Sequence, residues 1–124
     1  MERIIGKILN EKEMNVVLLK ECTKKLFKRT NQIKEEIKEI ADSIDEDNIL
    51  DLIRNKYLTE QLAGEYEALE QKKKYLFNLA LSVVLEEDIN VSIEDEVYKI
   101  LNQHEIDMAL LEYCLVKLEK RNQI

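Results

Sequence analysis

Apolar residues recur along the chain with the three- and four-residue spacing of amphipathic helices. The first series runs from Val16 through Leu19, Cys22 and Leu26 to Ile44 and predicts one helix of about 35 residues. A second series, from Ile49 to Glu87, predicts another long helix. Its expected buried seam is Ile49, Ile53, Leu62, Tyr66, Leu69, Leu76, Ala80 and Val83.

Turn-forming and capping residues separate these helical stretches. The segment Ser43 to Asn48 ends the first helix, and either Asp47 or Asn48 is expected to cap the second. The segment Glu86 to Ser92 ends the second helix, and Ser92 opens a further helical region. A shorter third helix is expected over about Gln103 to Arg121. The pattern predicts an all-α fold, an elongated antiparallel bundle with two long helices and a shorter C-terminal third, in a single domain of residues 1–124.

The chain contains an internal repeat. The stretch Lys7 to Arg29 recurs as Lys99 to Arg121, with twelve of twenty-three positions identical. Convergence on similar helix starts in a chain rich in Lys, Glu and Leu is the alternative to duplication. Three long elements that run up, down and up would make the two copies parallel neighbours. In that case Cys22 and Cys114 would lie buried at the same level of the bundle.

Each copy also contains the pattern Leu-Asn-x-x-Glu followed by an apolar residue. With Asn10 or Asn102 as the N-cap, the Glu three residues later completes a capping box, and Leu9 and Leu101 begin hydrophobic staples. The repeat therefore predicts two bends, each between a short helix and a long one. The short helices would span about Glu2 to Leu9 and Ile93 to Leu101. Uninterrupted helix through both asparagines is the alternative, since Asn is tolerated inside helices.

The third helix is too short to cover the far end of the hairpin that the two long helices form. An apolar stripe would then face water there, and a second copy completing a four-helix bundle is the simplest cover. We therefore expect a homo-oligomer. Its predicted interface residues are Ile33, Ile37, Ile40, Ile44, Ile49, Ile53, Leu58 and Leu62.

Charge and composition limit the classes of partner that the protein is expected to bind. The chain has 36% charged residues and a formal net charge of -7, which disfavours nucleic acid because phosphate binding needs a clustered positive surface. The composition favours a protein partner with a basic surface. No apolar run approaches a membrane span and the first residues lack a secretory pattern, so we expect a cytoplasmic protein without membrane contact.

The chain offers little for catalysis or metal binding. Its one histidine, His104, falls on the apolar series Val97, Leu101, His104, Met108, Leu111, Leu115 and Leu118. Leu101 and Met108 occupy the positions where di-iron or zinc helices carry ligands, so a half-buried structural histidine is expected. The two glycines, Gly6 and Gly64, are isolated and form no phosphate loop. We expect no catalytic, metal-binding or cofactor-binding residues and no cofactor.

Three classes of function remain. The first is a non-enzymatic protein-interaction module, such as a regulator, inhibitor, immunity-type or chaperone-like protein, that uses an acidic helical surface. The second is a helical oligomer that binds or sequesters a small molecule in a cleft. The third is a small helical enzyme with a site at a subunit interface. The absence of catalytic motifs in the sequence favours the first.

Overall fold

The protein is all-α, as the sequence predicts. The structure is a computed structural model that describes residues 2–122, with side chains from Ile4 onward. Five helices occur within this range and no strand does. They are α1 (Glu2–Ile8), α2 (Glu11–Asp42), α3 (Ile49–Val84), α4 (Ile93–Tyr98) and α5 (Gln103–Asn122). The two long helices α2 and α3 pack against each other, and the C-terminal helix is shorter. No described helix is long and apolar enough to cross a membrane.

The turn between α2 and α3 ends at Asn48, which caps α3. Its Oδ1 accepts hydrogen bonds from the amides of Leu50 and Asp51, at 3.1 and 3.3 Å. Asp45 Oδ1 accepts from the Asp47 amide at 3.1 Å, which closes the turn. Of the two predicted caps, Asn48 is therefore the one that satisfies the first free amides of the helix.

Both predicted bends are present. Asn10 Oδ1 accepts from the Glu13 amide at 2.8 Å, and Glu13 Oε1 accepts from the Asn10 amide at 3.2 Å. The second copy repeats the pair between Asn102 and Glu105 at 2.8 and 3.0 Å. Two reciprocal capping boxes thus start α2 and α5. Uninterrupted helix through the asparagines is wrong, because α1 ends at Ile8 and α4 at Tyr98.

The chain divides into two compact units. The hairpin unit is Leu26–Lys74 and contains the later part of α2, the turn and the first part of α3. The repeat unit consists of the residues up to Lys25 and from Tyr75 onward, and it contains the second copy of the repeat and all but the last four residues of the first. The sequence predicts a single domain, and that remains a prediction.

Polar groups as well as apolar ones join the helices of the hairpin unit. Ile33 is fully buried, and Thr30, three residues earlier, is also buried. The Thr30 hydroxyl donates a hydrogen bond to the Phe27 carbonyl at 2.8 Å. Arg29 reaches Glu65 on α3 with two nitrogens, at 2.9 and 3.2 Å. This hydrogen-bonded pairing raises the pKa of Arg29, so the guanidinium is charged at every physiological pH.

The repeat unit contains the larger core. Its buried apolar side chains come from all five helices and from the two leucines that precede the capping asparagines. They are Ile5, Leu9, Leu19, Cys22, Leu76, Leu79, Val83, Val97, Leu101, Ile106, Ala109, Leu110 and Cys114. Leu19 and Cys22 were expected on the buried seam of α2, and the structure confirms both.

Two equivalent lysines connect the copies of the repeat. Lys25 Nζ donates to the Ile100 carbonyl at 3.0 Å and to Glu105 at 2.8 Å. Ninety-two positions later, Lys117 Nζ donates to the Ile8 carbonyl at 3.0 Å and to Glu13 at 2.7 Å. We call these two contacts the lysine clamps.

The lysine clamps are reciprocal. The lysine of each copy binds a carbonyl and a glutamate of the other copy, and these binding partners occupy equivalent positions in the two copies. Such a reciprocal exchange of contacts is characteristic of a two-fold interface. The two contact sets differ by the same shift of ninety-two positions at every residue. The repeat unit is therefore organised around an internal pseudo-two-fold axis.

This arrangement shows that the predicted direction of the repeats is wrong. The start of α2 at Glu13 lies beside the end of α5 at Lys117, so the copies are antiparallel rather than parallel. Cys22 and Cys114 are both buried and unbridged, as expected. In an antiparallel register they are offset by six residues, or about 9 Å along the helix axes, so they do not share a level.

The chain segment between α3 and α5 explains the reversal. Lys12 pairs with Glu86 at 3.3 Å, which places the end of α3 beside the start of α2. Glu105 at the start of α5 lies beside Lys25, thirteen residues further along α2. Residues 85–102 therefore carry the chain back by about 20 Å before α5 begins. As a result α5 runs parallel to α3 instead of reversing it.

The predicted apolar series is wrong for the part that lies on α5, although Val97 and Leu101, which precede α5, are buried. His104 is exposed rather than half-buried, and Met108 and Leu115 are 54% and 62% exposed. The core side of α5 is instead formed by Ile106, Ala109, Leu110 and Cys114. The antiparallel pairing with α2 selects this second face.

We expect the two capping asparagines to contribute equally to stability. Asn10→Ala and Asn102→Ala should each lower the free energy of unfolding by about 1 kcal/mol, because each leaves helix-start amides without an acceptor. Urea denaturation measures this. Asn31→Ala, in the exposed interior of α2, is the matched control and should be neutral or slightly stabilising. Cap variants indistinguishable from Asn31→Ala would contradict the role of the capping boxes.

The lysine clamps should make stability fall in acid. Hydrogen bonds from Lys117 and then from the Asn10 amide lower the pKa of Glu13, and Lys25 and Asn102 do the same for Glu105. The unfolded chain, with glutamate pKa values of about 4.3, therefore binds these protons first. The stabilisation is complete above that value and is lost as pH falls through the lower pKa of the folded state.

Glu13→Gln and Glu105→Gln should each flatten the acid side of a plot of unfolding free energy against pH. Lys117→Met should remove the part of this pH dependence that comes from Glu13, and Lys25→Met should remove the part that comes from Glu105. An acid limb unchanged in all four variants would show that the clamps do not stabilise the fold.

Candidate functional site

The first turns of α3 expose four large apolar side chains on one face. Ile49, Leu50, Ile53 and Tyr57 are 70%, 74%, 63% and 60% exposed. Their spacing of three, four and seven residues aligns them along the helix. We call these four residues the outer stripe.

The outer stripe inverts the usual helix pattern. In the same stretch the half-buried positions are polar, namely Asp51, Asn55 and Thr59. A helix of a self-sufficient hairpin places its apolar residues toward its neighbour and its polar residues toward water. Here the apolar side chains are the more exposed ones, so burying them requires contact with another surface.

The structure divides the predicted interface residues into three groups. Ile33 is fully buried inside the hairpin unit, and Ile37, Ile40 and Leu62 are half-buried. The exposed group is Ile44, Ile49, Ile53 and Leu58. The expectation that Ile49 and Ile53 form part of the seam facing α2 is wrong. Leu50 and Tyr57 were missed, although their spacing from Ile53 places them on the same face.

A cleft lies between the two helices of the hairpin unit. It has a volume of about 580 Å³ and is lined by Glu36, Glu39, Ile40, Ser43, Leu58, Gln61 and Leu62. Ile40, Leu58 and Leu62 supply apolar surface, and Glu36 and Glu39 supply negative charge. Leu58 is 41% exposed, so the stretch of α3 that carries the outer stripe also contributes apolar surface to the cleft, on a different face of the helix.

Negative charge is concentrated in the same part of the chain. Residues 35–60, which we call the hairpin tip, contain nine acidic and three basic residues. The tip has a formal net charge of -6, against -7 for the whole chain. The turn residues Asp45, Glu46 and Asp47 are all exposed. The hairpin tip therefore combines exposed apolar side chains with nearly all of the net charge of the protein.

Known proteins give no information on the function of this surface. No family model, curated protein or solved structure matches the chain.

Reactive side chains are not gathered elsewhere in the described part of the chain. Among residues 2–122, no three His, Cys, Asp or Glu side chains are arranged to hold a metal ion. Burial raises the pKa of Cys114, which favours the unreactive thiol. The hairpin tip is consequently the strongest candidate for the functional site.

Proposed function

We propose that the protein is a non-enzymatic protein-interaction module. Its hairpin tip binds an apolar surface rimmed by lysine or arginine on another protein. The observation that carries this proposal is the outer stripe, four large apolar side chains that are each at least 60% exposed on one face of α3. In the same stretch the half-buried residues are the polar Asp51, Asn55 and Thr59. Fully burying one such side chain is worth about 1.5–3 kcal/mol, so a partner that covers the stripe gains substantial free energy.

The charge of the hairpin tip selects the kind of partner. Interfaces that place opposite charges around an apolar centre associate faster and reject like-charged partners. With a net charge of -6 around the outer stripe, a basic rim is the complementary arrangement. Such a partner is consistent with a regulator, inhibitor, immunity-type or chaperone-like protein.

A second copy of the chain is the competing occupant of the outer stripe. The homo-oligomer expected from the sequence stays a prediction. Packing tip against tip would bring two segments of net charge -6 together, and this repulsion is weakened only when salt screens it. The charge distribution therefore favours a different, basic partner over self-association through the tip.

Two synthetic amphipathic helical peptides with the same leucine face test the proposal. One carries lysine and arginine around that face, and the other carries glutamate at the same positions. The basic peptide should bind and shift NMR signals of the isotope-labelled protein at residues 49–57. The acidic peptide should bind at least about tenfold more weakly, a difference of about 1.4 kcal/mol.

Variants then separate the apolar and electrostatic contributions. The double variant Leu50→Ser with Ile53→Ser should weaken the basic peptide about tenfold or more at any salt concentration. The triple variant Asp45→Asn, Glu46→Gln and Asp47→Asn should weaken it mainly at low salt. The matched control is Met108→Ser with Leu115→Ser, which removes exposed apolar side chains of α5 and should leave binding unchanged.

Three results would overturn the proposal. The first is equal binding of the acidic and basic peptides. The second is a loss of binding in the α5 control as large as in the stripe variant. The third is sedimentation showing that the free protein is a dimer that only the stripe variant dissociates, which would assign the outer stripe to a second copy.

A further inference from the structure

A second candidate site lies in the repeat unit and does not rest on the proposed function. It is a cavity of about 600 Å³ bounded by α1, α2, α4, α5 and the segment before α4. Its lining residues are Ile5, Gly6, Glu11, Met14, Asn15, Leu18, Ile89, Val91, Ser92, Ile93, Glu94, Val97, Tyr98, Gln103, Ile106, Asp107 and Leu110. The volume is within the range of small-molecule sites.

The cavity straddles the pseudo-two-fold axis. Six lining residues, four in the first copy and two just before it, have counterparts ninety-two positions later that also line it. The pairs are Ile5 with Val97, Gly6 with Tyr98, Glu11 with Gln103, Met14 with Ile106, Asn15 with Asp107, and Leu18 with Leu110. In the antiparallel register the counterparts lie on opposite sides of this axis. Leu18 and Leu110 are therefore near the middle of the cavity, and Glu11 and Gln103 lie toward opposite ends, about 24 Å apart along the helix axes.

Gly6 keeps one side of the cavity open. The residue ninety-two positions later is Tyr98, whereas a Cβ atom added at Gly6 would meet no atom within 4 Å. Glycine inside a helix is destabilising relative to alanine, and no neighbouring atom of the described chain excludes a side chain at this position of α1. The asymmetry between Gly6 and Tyr98 thus leaves space where the pseudo-symmetry would place an aromatic ring.

The opposite wall holds an ordered polar chain. The Tyr98 hydroxyl donates to Gln103 Oε1 at 2.7 Å, and Gln103 Nε2 donates to Asp107 Oδ1 at 2.9 Å. This chain fixes the orientation of the Asp107 carboxylate at the cavity.

The cavity combines an apolar floor with an acidic mouth. Ile5, Val97, Ile106 and Leu110 are buried, whereas the carboxylates of Glu11 and Glu94 are exposed and Asp107 is half-buried. Among the side chains that the structure describes, no lysine, arginine or histidine lines the cavity. Such a lining attracts a cation and repels an anion.

We propose that this cavity binds a small amphipathic amine. The alkyl chain lies against Ile5, Val97, Ile106 and Leu110, and the ammonium group lies near the carboxylate of Asp107. Glu11 and Glu94 add further negative charge to the lining. The apolar floor supplies affinity, and the acidic mouth supplies the choice of a cationic head group over a neutral or anionic one.

Three probes with the same alkyl chain separate these contributions. Octylammonium, octanol and octanoate differ only in the charge of the head group, and calorimetry at neutral pH gives their affinities. Octylammonium should bind about tenfold or more tightly than octanol, and octanoate should bind most weakly. The double variant Glu11→Gln with Asp107→Asn should reduce the affinity for octylammonium to that for octanol and leave octanol unchanged.

The two glycines provide a matched pair of variants for the position of the site. Gly6→Tyr introduces the side chain found ninety-two positions later and should abolish binding of all three probes. Gly64→Tyr, at an equally open helical glycine in the hairpin unit, should leave binding unchanged. Circular dichroism confirms that both variants fold.

Clear outcomes would overturn the proposal. These are octanoate binding as tightly as octylammonium, absence of octylammonium binding at millimolar concentration, or undiminished binding by folded Gly6→Tyr. Binding of octylammonium and octanol with equal affinity would also overturn it, because the acidic mouth would then have no role.

Discussion

The lysine clamps are the interaction on which the rest of the repeat unit depends. Each clamp joins a lysine to a carbonyl at the end of a short helix and to the glutamate of the next capping box. Carbonyls at helix ends lack hydrogen-bond partners inside the helix and carry partial negative charge. An ammonium group both donates the missing hydrogen bond and offsets this charge. Lys117 and Lys25 therefore fix the two bends and the antiparallel pairing of α2 with α5 together. The central cavity straddles the pseudo-two-fold axis of that pairing.

Local chemistry explains what the sequence predicts well. The capping boxes at Asn10 and Asn102 and the turn before Asn48 involve residues within three positions of each other, so their signals are readable without the fold. The direction of the repeats is not local. It depends on how residues 85–102 return the chain and on ion pairs such as Lys25 with Glu105, eighty positions apart. A prediction that reverses the direction of the chain at each successive long helix does not include this return.

The buried face of the first turns of α3 could not be assigned from periodicity, because apolar residues there point in several directions. Ile49, Leu50, Leu52, Ile53, Tyr57 and Leu58 cover most of the circumference of the helix. Packing against α2 then selects a side where Asp51, Asn55 and Thr59 are half-buried and leaves the outer stripe exposed. The stretch whose buried face periodicity does not reveal is thus the one with the exposed apolar surface that we propose as a binding site. The acidic residues around it are the reason for proposing a partner with a basic rim.

Distances between spin labels test the antiparallel repeat most directly. With Cys22 and Cys114 replaced by alanine, labels are placed at cysteines substituted for exposed Lys12 and Lys120, or for Lys12 and His104. Antiparallel pairing predicts a short distance between positions 12 and 120, which line the same groove. It also predicts an axial separation of about 21 Å between positions 12 and 104. The reverse order, with positions 12 and 104 closer than positions 12 and 120, would contradict the pseudo-two-fold account.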